Sequence, residues 1–486
     1  MKTRPSHLRY ALLLLPVFGV LSCASVQRRA DWPQYDSNPF VIALDIPAPE
    51  DDKGSIIVAD LNGDGLKDYL VTVPGHIAAY DNGGRKLWIL KTDIRLSMDS
   101  EQWGLPGQHA PGVQAADVNR DGRVEVLFLT EDSTIHALDG RTASTEWTAR
   151  PAVPKGAAQW EHLVVASFHG QGDTDLLLQA TNKDGYRMGR YLSAHRISDL
   201  RKGNLEPVWQ MDDFLACAHT AARVADLDLD GKDEVIGGTL VSSEGKRLYQ
   251  FPLTGHIDAV AIADVRPDLP GLEVVALEEG DRRSKERDRV FLANANGLIW
   301  QANHENREPQ DDAVGDFDPA RPGLEIYCRH RGTGLAANPI AKEEFPANGY
   351  QKPFVLDAKG SVISDYSSKD VMPEGWTPMG LQVCQTIHWD GAAKALVVAT
   401  EREQNGNVAL FDPMGGKFLL RLKDEKADRL YVVDVCGDWR EEIIILNGSE
   451  LHIYHNQEPN PDPDHARLWD EPHYRRSKMT WNRSTN

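Results

Sequence analysis

Three stretches of the chain are near copies of one another: IIVADLNGDGLKDYLVT at 56–72, VQAADVNRDGRVEVLFL at 113–129 and ARVADLDLDGKDEVIGG at 222–238. In each, an apolar run enters an acidic, glycine-containing loop and a second apolar run leaves it, the pattern of two strands joined by a turn. Weaker copies read AIADVRPDLPGLEVVAL from residue 261, AVGDFDPARPGLEIYCR from 313 and YVVDVCGDWREEIIILN from 431. Degenerate copies near Val164 (SFHGQGDTDLLLQ) and Gln385 (TIHWDGAAKALVVA) bring the total to about eight. Behind the loops, segments such as IAAYDNGGRKLWIL and TIHALDGRTASTEW alternate apolar and polar residues around a turn, giving about four strands per unit. One such unit cannot bury both its faces, whereas a closed ring of them covers every face and leaves no long edge. The chain is therefore expected to be all-β, an eight-bladed β-propeller with acidic loops between the first two strands of several blades. Two smaller β domains are the alternative, but no Gly/Ser linker divides the sequence.

The 486 residues, 41% hydrophobic and 26% charged, exclude wholesale disorder and a polytopic membrane protein. A formal charge of -20 repels a phosphate backbone, so no nucleic acid partner is expected. At the N-terminus Lys2, Arg4 and Arg9 precede an apolar run from Ala11 to Leu21, the layout of a secretory signal. The run closes on Val20-Leu21-Ser22-Cys23, which resembles a bacterial lipoprotein box with Cys23 as the acylated residue. An ordinary secretory signal with a coincidental cysteine is the alternative. Removing residues 1–22 takes away three cations and no acid, which moves the charge from -20 to -23. The expected organisation is a signal peptide over 1–22, a tether with a possible closing strand over 23–50, the propeller over 51–456 and a C-terminal tail packing on it over 457–486. Such a chain would be an exported cell-envelope monomer, touching the membrane only through its lipid. Cys217, Cys328, Cys384 and Cys436 are isolated, without zinc spacing, and read as small apolar residues.

Asp60, Asn62, Asp64 and Asp68 occupy positions one, three, five and nine of DxNxDGxxD, with Gly65 at the sharp turn. Alternating oxygen-bearing side chains that curl around one point suit a hard cation needing six to eight oxygens, which makes calcium the expected ion. Asp117, Asn119, Asp121 and Glu125 repeat the pattern, as do Asp226, Asp228, Asp230 and Glu234. Flanking strands, and no acid at position twelve, set these loops apart from EF-hands. Their recurrence from blade to blade favours structural calcium over a catalytic ion. In the fifth and sixth copies Pro267, Pro270, Pro319 and Pro322 stiffen the loop and acids are fewer, so these two are expected to hold no metal.

If the strand entering each acidic loop is innermost, its other end lies about 16 Å away at the opposite mouth. His109, His162, His219 and His256 stand just before such strands. Lys183, Tyr186, Arg187, Arg329, His330 and Arg331 follow strands that return there. This cationic, imidazole-rich mouth suits an anionic carbohydrate, with Arg gripping a uronate carboxylate and His or Tyr removing the adjacent proton. The bland alternative is that each His serves only its own loop. Trp103, Trp160, Trp376, Trp389 and Trp439 are candidate sugar-stacking surfaces, set against the usual core role of propeller tryptophans. The sequence carries no GxSxG elbow, P-loop or dinucleotide fingerprint.

The phrases GHIDAVAIADVRPDLPGLEVV, GDFDPARPGLEIY, GDWREEIII and RLWDEPHYRRSKMTW together resemble the rhamnogalacturonan lyases of polysaccharide lyase family 11, and the acidic loops resemble those of FG-GAP repeats. The resemblance implies a calcium-containing eight-bladed propeller that cuts the rhamnose-galacturonate backbone of pectin, rhamnogalacturonan I, by β-elimination. Carried over onto matching positions, it implies His256 with Asp258, and Tyr474 with Arg475, as site residues. His109, His219, Arg329 and Arg331, with Tyr186 and Arg187, rest on the mouth geometry alone. The family's small N-terminal β domain is absent, EPQDDAVGDFD enters blade six without an Arg-Gly, and the chain ends soon after Trp481. These departures imply altered specificity or lost catalysis, and ulvan lyases have a related propeller. A non-catalytic FG-GAP-type propeller binding glycan or protein is the second expectation. A quinoprotein-like or assembly-platform propeller is the third, and the acidic loops argue against it.

Overall fold

The computed structural model describes residues 35–480 apart from 50–53, 97–111, 183–188, 218–220, 281–283, 285–287, 305–306, 331–349, 378–379, 403–406 and 426. The strands form eight four-stranded antiparallel sheets, seven of them built from four consecutive strands. The eighth takes Arg429–Val433, Glu442–Asn447 and Glu450–Tyr454 from the end of the chain and is completed by Phe40–Ala43 from its beginning. Phe40 pairs with Ile453 and Ala43 with Glu450, so one blade draws on both ends of the chain and locks the ring. The closing strand expected within 23–50 is this one.

The first strand of each blade is innermost. In most neighbouring pairs the first strands touch, and segments such as Ser55–Ala59 and Arg429–Val433 are buried on both faces. The fourth strands, for example Lys86–Lys91, alternate burial with exposure. That gradient explains the unbroken apolar runs of the inner strands and the mixed outer ones.

The apolar core is divided among the clefts between blades. Eight clusters each join two adjacent blades, from Ile56, Tyr431 and Ile453 between blades 8 and 1 to Val398, Val432 and Ile445 between blades 7 and 8. Outer-strand tryptophans bolt three pairs of adjacent blades together. Trp88 donates to the Gly140 carbonyl at 2.7 Å, Trp209 to Ser243 at 2.9 Å and Trp300 to Ala358 at 3.0 Å, each on the next blade. Trp160, Trp376 and Trp439 are also buried, which corrects their reading as sugar platforms. Trp103 lies outside the described residues, and Trp389 is half-buried on the acidic-loop side. Cys217, Cys328, Cys384 and Cys436 form no disulfide with one another, and the first three are buried.

The tail does more than rest on the surface. After a short turn at Leu468–Asp470, the helix Pro472–Thr480 runs into the central shaft from the acidic-loop side. Arg476 reaches Asp173 at 2.8 Å and Asp233 at 3.0 Å, in the loops of blades 3 and 4. Tyr474 donates to Glu441 in blade 8, which also faces Lys478 at 3.6 Å. Deeper in, Gln114 and Tyr431 on the inner strands of blades 2 and 8 donate to the Met479 and Lys478 carbonyls, each at 3.0 Å. Blades 4 and 8 are opposite in an eight-membered ring, so the helix is a strap across the shaft. Among the described residues, no helix is long and apolar enough to cross a membrane.

Glu441 is the strap's fixed charge. Burial alone would raise its pKa, but Lys478 and the hydrogen bonds from His388 and Tyr474 outweigh that and bring it to about 2. Burial pulls Lys478 down in spite of its partner, because the ammonium has one carboxylate where Glu441 has three donors. A carboxyl depressed in the folded state contributes stability above its unfolded pKa that is lost as pH falls through the folded one. Urea midpoints should therefore drop for the native protein between pH 5 and pH 2.5. The Glu441→Gln variant should start lower and change less over the same interval.

Candidate active site

The acidic loops lie where the sequence puts them, and they sort into two kinds. In blade 1, Asp60 accepts from the backbone of Gly63, Asp64 and Gly65, and Asn62 and Asp64 accept from the backbone two residues on. Asp117 and Asp226 repeat this toward Asp121, Gly122, Asp230 and Gly231. The position-nine acid braces the loop from below. Asp68, Glu125 and Glu234 each accept the position-two N–H at 2.9 Å. Burial first, with neighbouring acids adding to it, pushes all three up to about 7. In blade 4, ligand oxygens of Asp226, Asp228 and Glu234 lie within 4.8 Å of one another.

The other loops supply their own cation or have shed their acids. In blade 5, Arg266 forks onto Asp268 at 2.6 and 2.7 Å. Arg321 pairs with Asp318 at 2.9 Å in blade 6, and in blade 8 the tail's Arg467 reaches Asp434 at 2.8 Å. A guanidinium therefore stands close in the degenerate loops, whereas in the loops of blades 2 and 4 Arg123 and Lys232 reach only the position-five acids, Asp121 at 3.3 Å and Asp230 at 3.4 Å, and the loops of blades 1, 2 and 4 keep their crowded carboxylates. Their donor sets fit a hard divalent cation.

At the opposite mouth, blade 5 assembles a compact group. His256 opens the inner strand His256–Ala263 and pairs across the sheet with Glu279, the last residue of Glu273–Glu279. A bulge between Ile257 and Ala259 re-aims the intervening Asp258. His256 Nε2 then lies 2.9 Å from Asp258 Oδ1 and 3.4 Å from Glu279 Oε2. Burial alone would lower this imidazole, but the two carboxylates outweigh it and raise its pKa to about 9. The three ligand atoms lie within 4.8 Å, so the group fits a metal as well as a proton.

A second ion pair beneath it fixes the approach. Glu278, buried, takes Arg289 at 2.6 and 3.0 Å and the Thr254 backbone N–H at 2.6 Å. Arg289 also holds the Pro252 carbonyl at 2.7 Å. Gly255 is required because a Cβ there would sit 1.9 Å from the Glu279 carbonyl oxygen. Inner strands of blades 3, 6 and 7 also bulge near this mouth, a placement common beside active sites.

Other expected site residues fare differently. Arg329 is the penultimate residue of the second strand of blade 6, Glu325–His330, at this mouth, 5% exposed, bonded to Gln310 at 3.3 Å and 3.9 Å from Asp311. His162 lies inside its strand, and burial, with Arg95 nearby, lowers its pKa to about 3, which makes it a neutral core residue. Tyr474 and Arg475 belong to the strap at the acidic-loop end, away from His256. Burial and Glu441 push the Tyr474 phenol well above its ordinary range, and Arg475 faces Asp173 at 3.7 Å. His109, His219, Tyr186, Arg187, Arg331 and Cys23 lie outside the described residues.

A ring of eight blades with acidic FG-GAP-type loops, and a histidine held by two carboxylates at its far mouth, defines a narrow class. Residues 185–486 match the rhamnogalacturonan lyase family 11 C-terminal domain, and residues 60–128 match an FG-GAP-like repeat. The chain belongs to rhamnogalacturonan lyase family 11. Rhamnogalacturonan endolyase YesW of Bacillus subtilis (strain 168) is 25% identical over 431 residues, covering 78% of this chain and 61% of that protein. Rhamnogalacturonan exolyase YesX of the same organism is 25% identical over 368 residues, covering 71% of this chain and 55% of its own length. The chain thus spans less than two thirds of either relative. The crystal structure of YesW superposes with a TM-score of 0.65 at 20% identity, over 92% of this chain and 80% of that one. That of YesX gives 0.66 at 19% identity, over 90% and 79%. At these identities the likeness is one of fold.

Proposed function

We propose that this protein is a lyase that cuts an acidic, uronate-containing polysaccharide, with rhamnogalacturonan I as the favoured substrate, by β-elimination. The observation that carries the reading is the His256–Asp258–Glu279 group at the mouth of a chain belonging to this family. In the reaction the C5 proton of a galacturonate leaves to a base, the electron pair forms a C4–C5 double bond, and the C4–oxygen bond breaks toward the departing sugar. His256, Asp258 and Glu279 would hold a divalent cation, calcium by the chemistry of the loops, which supplies charge neutralisation at the uronate carboxylate and so makes the C5 proton easier to remove. Asp258 and Glu279 orient the imidazole, and Glu278 with Arg289 keeps that edge of the blade rigid. Arg329 adds positive charge at the same mouth. Since His256 is committed to two carboxylates and Tyr474 to the strap, the base is assigned to His109 or His219, each close before an inner strand that begins at this mouth.

Eliminative cleavage leaves an unsaturated sugar at the new non-reducing end, one water lighter than a hydrolytic product. Mass spectrometry of digested rhamnogalacturonan I is expected to show that species. Saturated products, or an intact polymer, would overturn the reading in favour of a hydrolase or a binding propeller.

The leader and Cys23 support an exported lipoprotein. Expressed in a bacterium, the native chain is expected in the membrane fraction and Cys23→Ser in the soluble fraction. Equal partition would contradict the anchor.

A further inference from the structure

On the acidic-loop face, blades 2 and 3 leave a pocket of about 760 Å³ between them, within the size range of small-ligand sites. Its charge is the reverse of its surroundings. The loop of blade 3 puts Ser167, His169 and Gln171 where blade 2 has Asp117, Asn119 and Asp121, so one wall has lost the acids that make the neighbouring loops cation sites. Arg196, Arg201 and Lys202 come in from the third strand of blade 3 and the short helix after it, and Arg120 from the loop of blade 2. These four exposed cations face one pocket on a chain of net charge -20.

The lone carboxylate in the lining is committed internally. Asp175, 1% exposed, takes the His169 ring Nδ1 at 2.9 Å and its backbone N–H at 3.0 Å. His169 Nε2 then accepts from Arg196 Nε at 3.1 Å. This relay fixes the ring between the two partners and holds the guanidinium by its inner nitrogen. Among the described residues, the two terminal nitrogens of Arg196 make no hydrogen bond, so the fork is preset for a planar anion. Trp147, 8% exposed, adds an apolar wall, and Gln171 and Ser198 add neutral donors.

The geometry points to a second carbohydrate site, one that takes a short carboxylated oligosaccharide on the face opposite His256. The choice of a uronate as the anion rests on the function proposed above. Spaced guanidinium forks beside an indole match a run of ring carboxylates with apolar sugar faces, whereas a lone phosphate needs one compact cluster of donors. A polymer held here raises its own effective concentration at the mouth.

The test is calorimetry in calcium buffer with tetragalacturonate, using the full chain carrying Asp258→Ala to disable the mouth. Binding is expected, and adding Arg196→Ala with Arg201→Ala should weaken it at least tenfold, with an unchanged thermal midpoint showing that the protein is folded. The methyl-esterified tetramer should bind at least tenfold more weakly, and equimolar inorganic phosphate should not compete. Affinity unaffected by the arginine changes would overturn the proposal, and so would phosphate binding as tightly as the uronate. Groove binding by a native protein that produces no unsaturated sugar would refute the lyase and leave the groove standing. Cleavage without groove binding would do the reverse.

Discussion

Asp258→Ala is expected to lower kcat/KM on rhamnogalacturonan I by at least about 10²-fold, the scale at which a preorganised electrostatic group is lost from a water-poor site. Asp258 is 1% exposed, sits on a bulge and lies 2.9 Å from His256, so it sets both the charge and the orientation of the imidazole. Its loss should leave the fold nearly intact, since Glu279 still faces His256 and the cost of burying one carboxylate disappears. A structural role alone would not change the titration of His256. With both carboxylates its pKa stands at about 9. In Asp258→Asn, calcium-free NMR should find it lower, and the calcium concentration for half-maximal activity should rise. Native activity in either variant would remove the group from the mechanism.

Chelation is expected to produce the largest change in stability. A ligand that binds only the folded state at a hundred times its Kd adds about 2.7 kcal/mol per site, and three loops together add roughly 8. For a ring of this size that is a fall in thermal midpoint on the order of 10 °C. The pH dependence has a definite sign. Without the ion, Asp68, Glu125 and Glu234 are raised to about 7, so the stability they contribute is present below their unfolded pKa and lost as pH rises through 7. With the ion they are charged and paired. The gap between calcium-loaded and chelated midpoints should therefore widen from pH 5 to pH 8. Asp226→Ala should remove about a third of it, while Arg266→Ala, in a loop that carries its own cation, should leave it unchanged. A midpoint indifferent to chelator at pH 8 would contradict calcium in these loops.

The architecture was legible because it repeats. A strand–loop–strand unit recurring about eight times leaves few closed solutions, and even the Phe40–Ala43 closing strand had a place waiting. The acidic loops were legible because the alternating oxygen-bearing side chains that mark them in the sequence also close their turns through hydrogen bonds to the backbone. The mouth was legible only in part. His256 and Asp258 are two residues apart in sequence, but Glu279 joins them through sheet register and a bulge that no local pattern announces. Glu278 and Arg289 are found the same way, by pairing across strands. His162 was misplaced because the inner strand of blade 3 starts early and swallows it. The position of Tyr474 and Arg475 along the shaft was illegible for a different reason. The tail stands outside the repeat, so nothing in the period says which end of the shaft it enters, and only Asp173, Asp233 and Glu441 reveal the acidic-loop side.

The most direct measurement follows the ultraviolet absorbance of unsaturated uronate while the calcium-loaded protein acts on rhamnogalacturonan I and, in parallel, on the same polymer with its carboxyl groups reduced to alcohols. The absorbance should rise with the native polymer, stop on adding chelator, and stay flat with the reduced one, because the proposed elimination needs a uronate carboxylate whose charge is neutralised by the cation that His256, Asp258 and Glu279 would hold. No rise with the native polymer, from protein shown by its calcium-dependent midpoint to be folded, would contradict the lyase assignment.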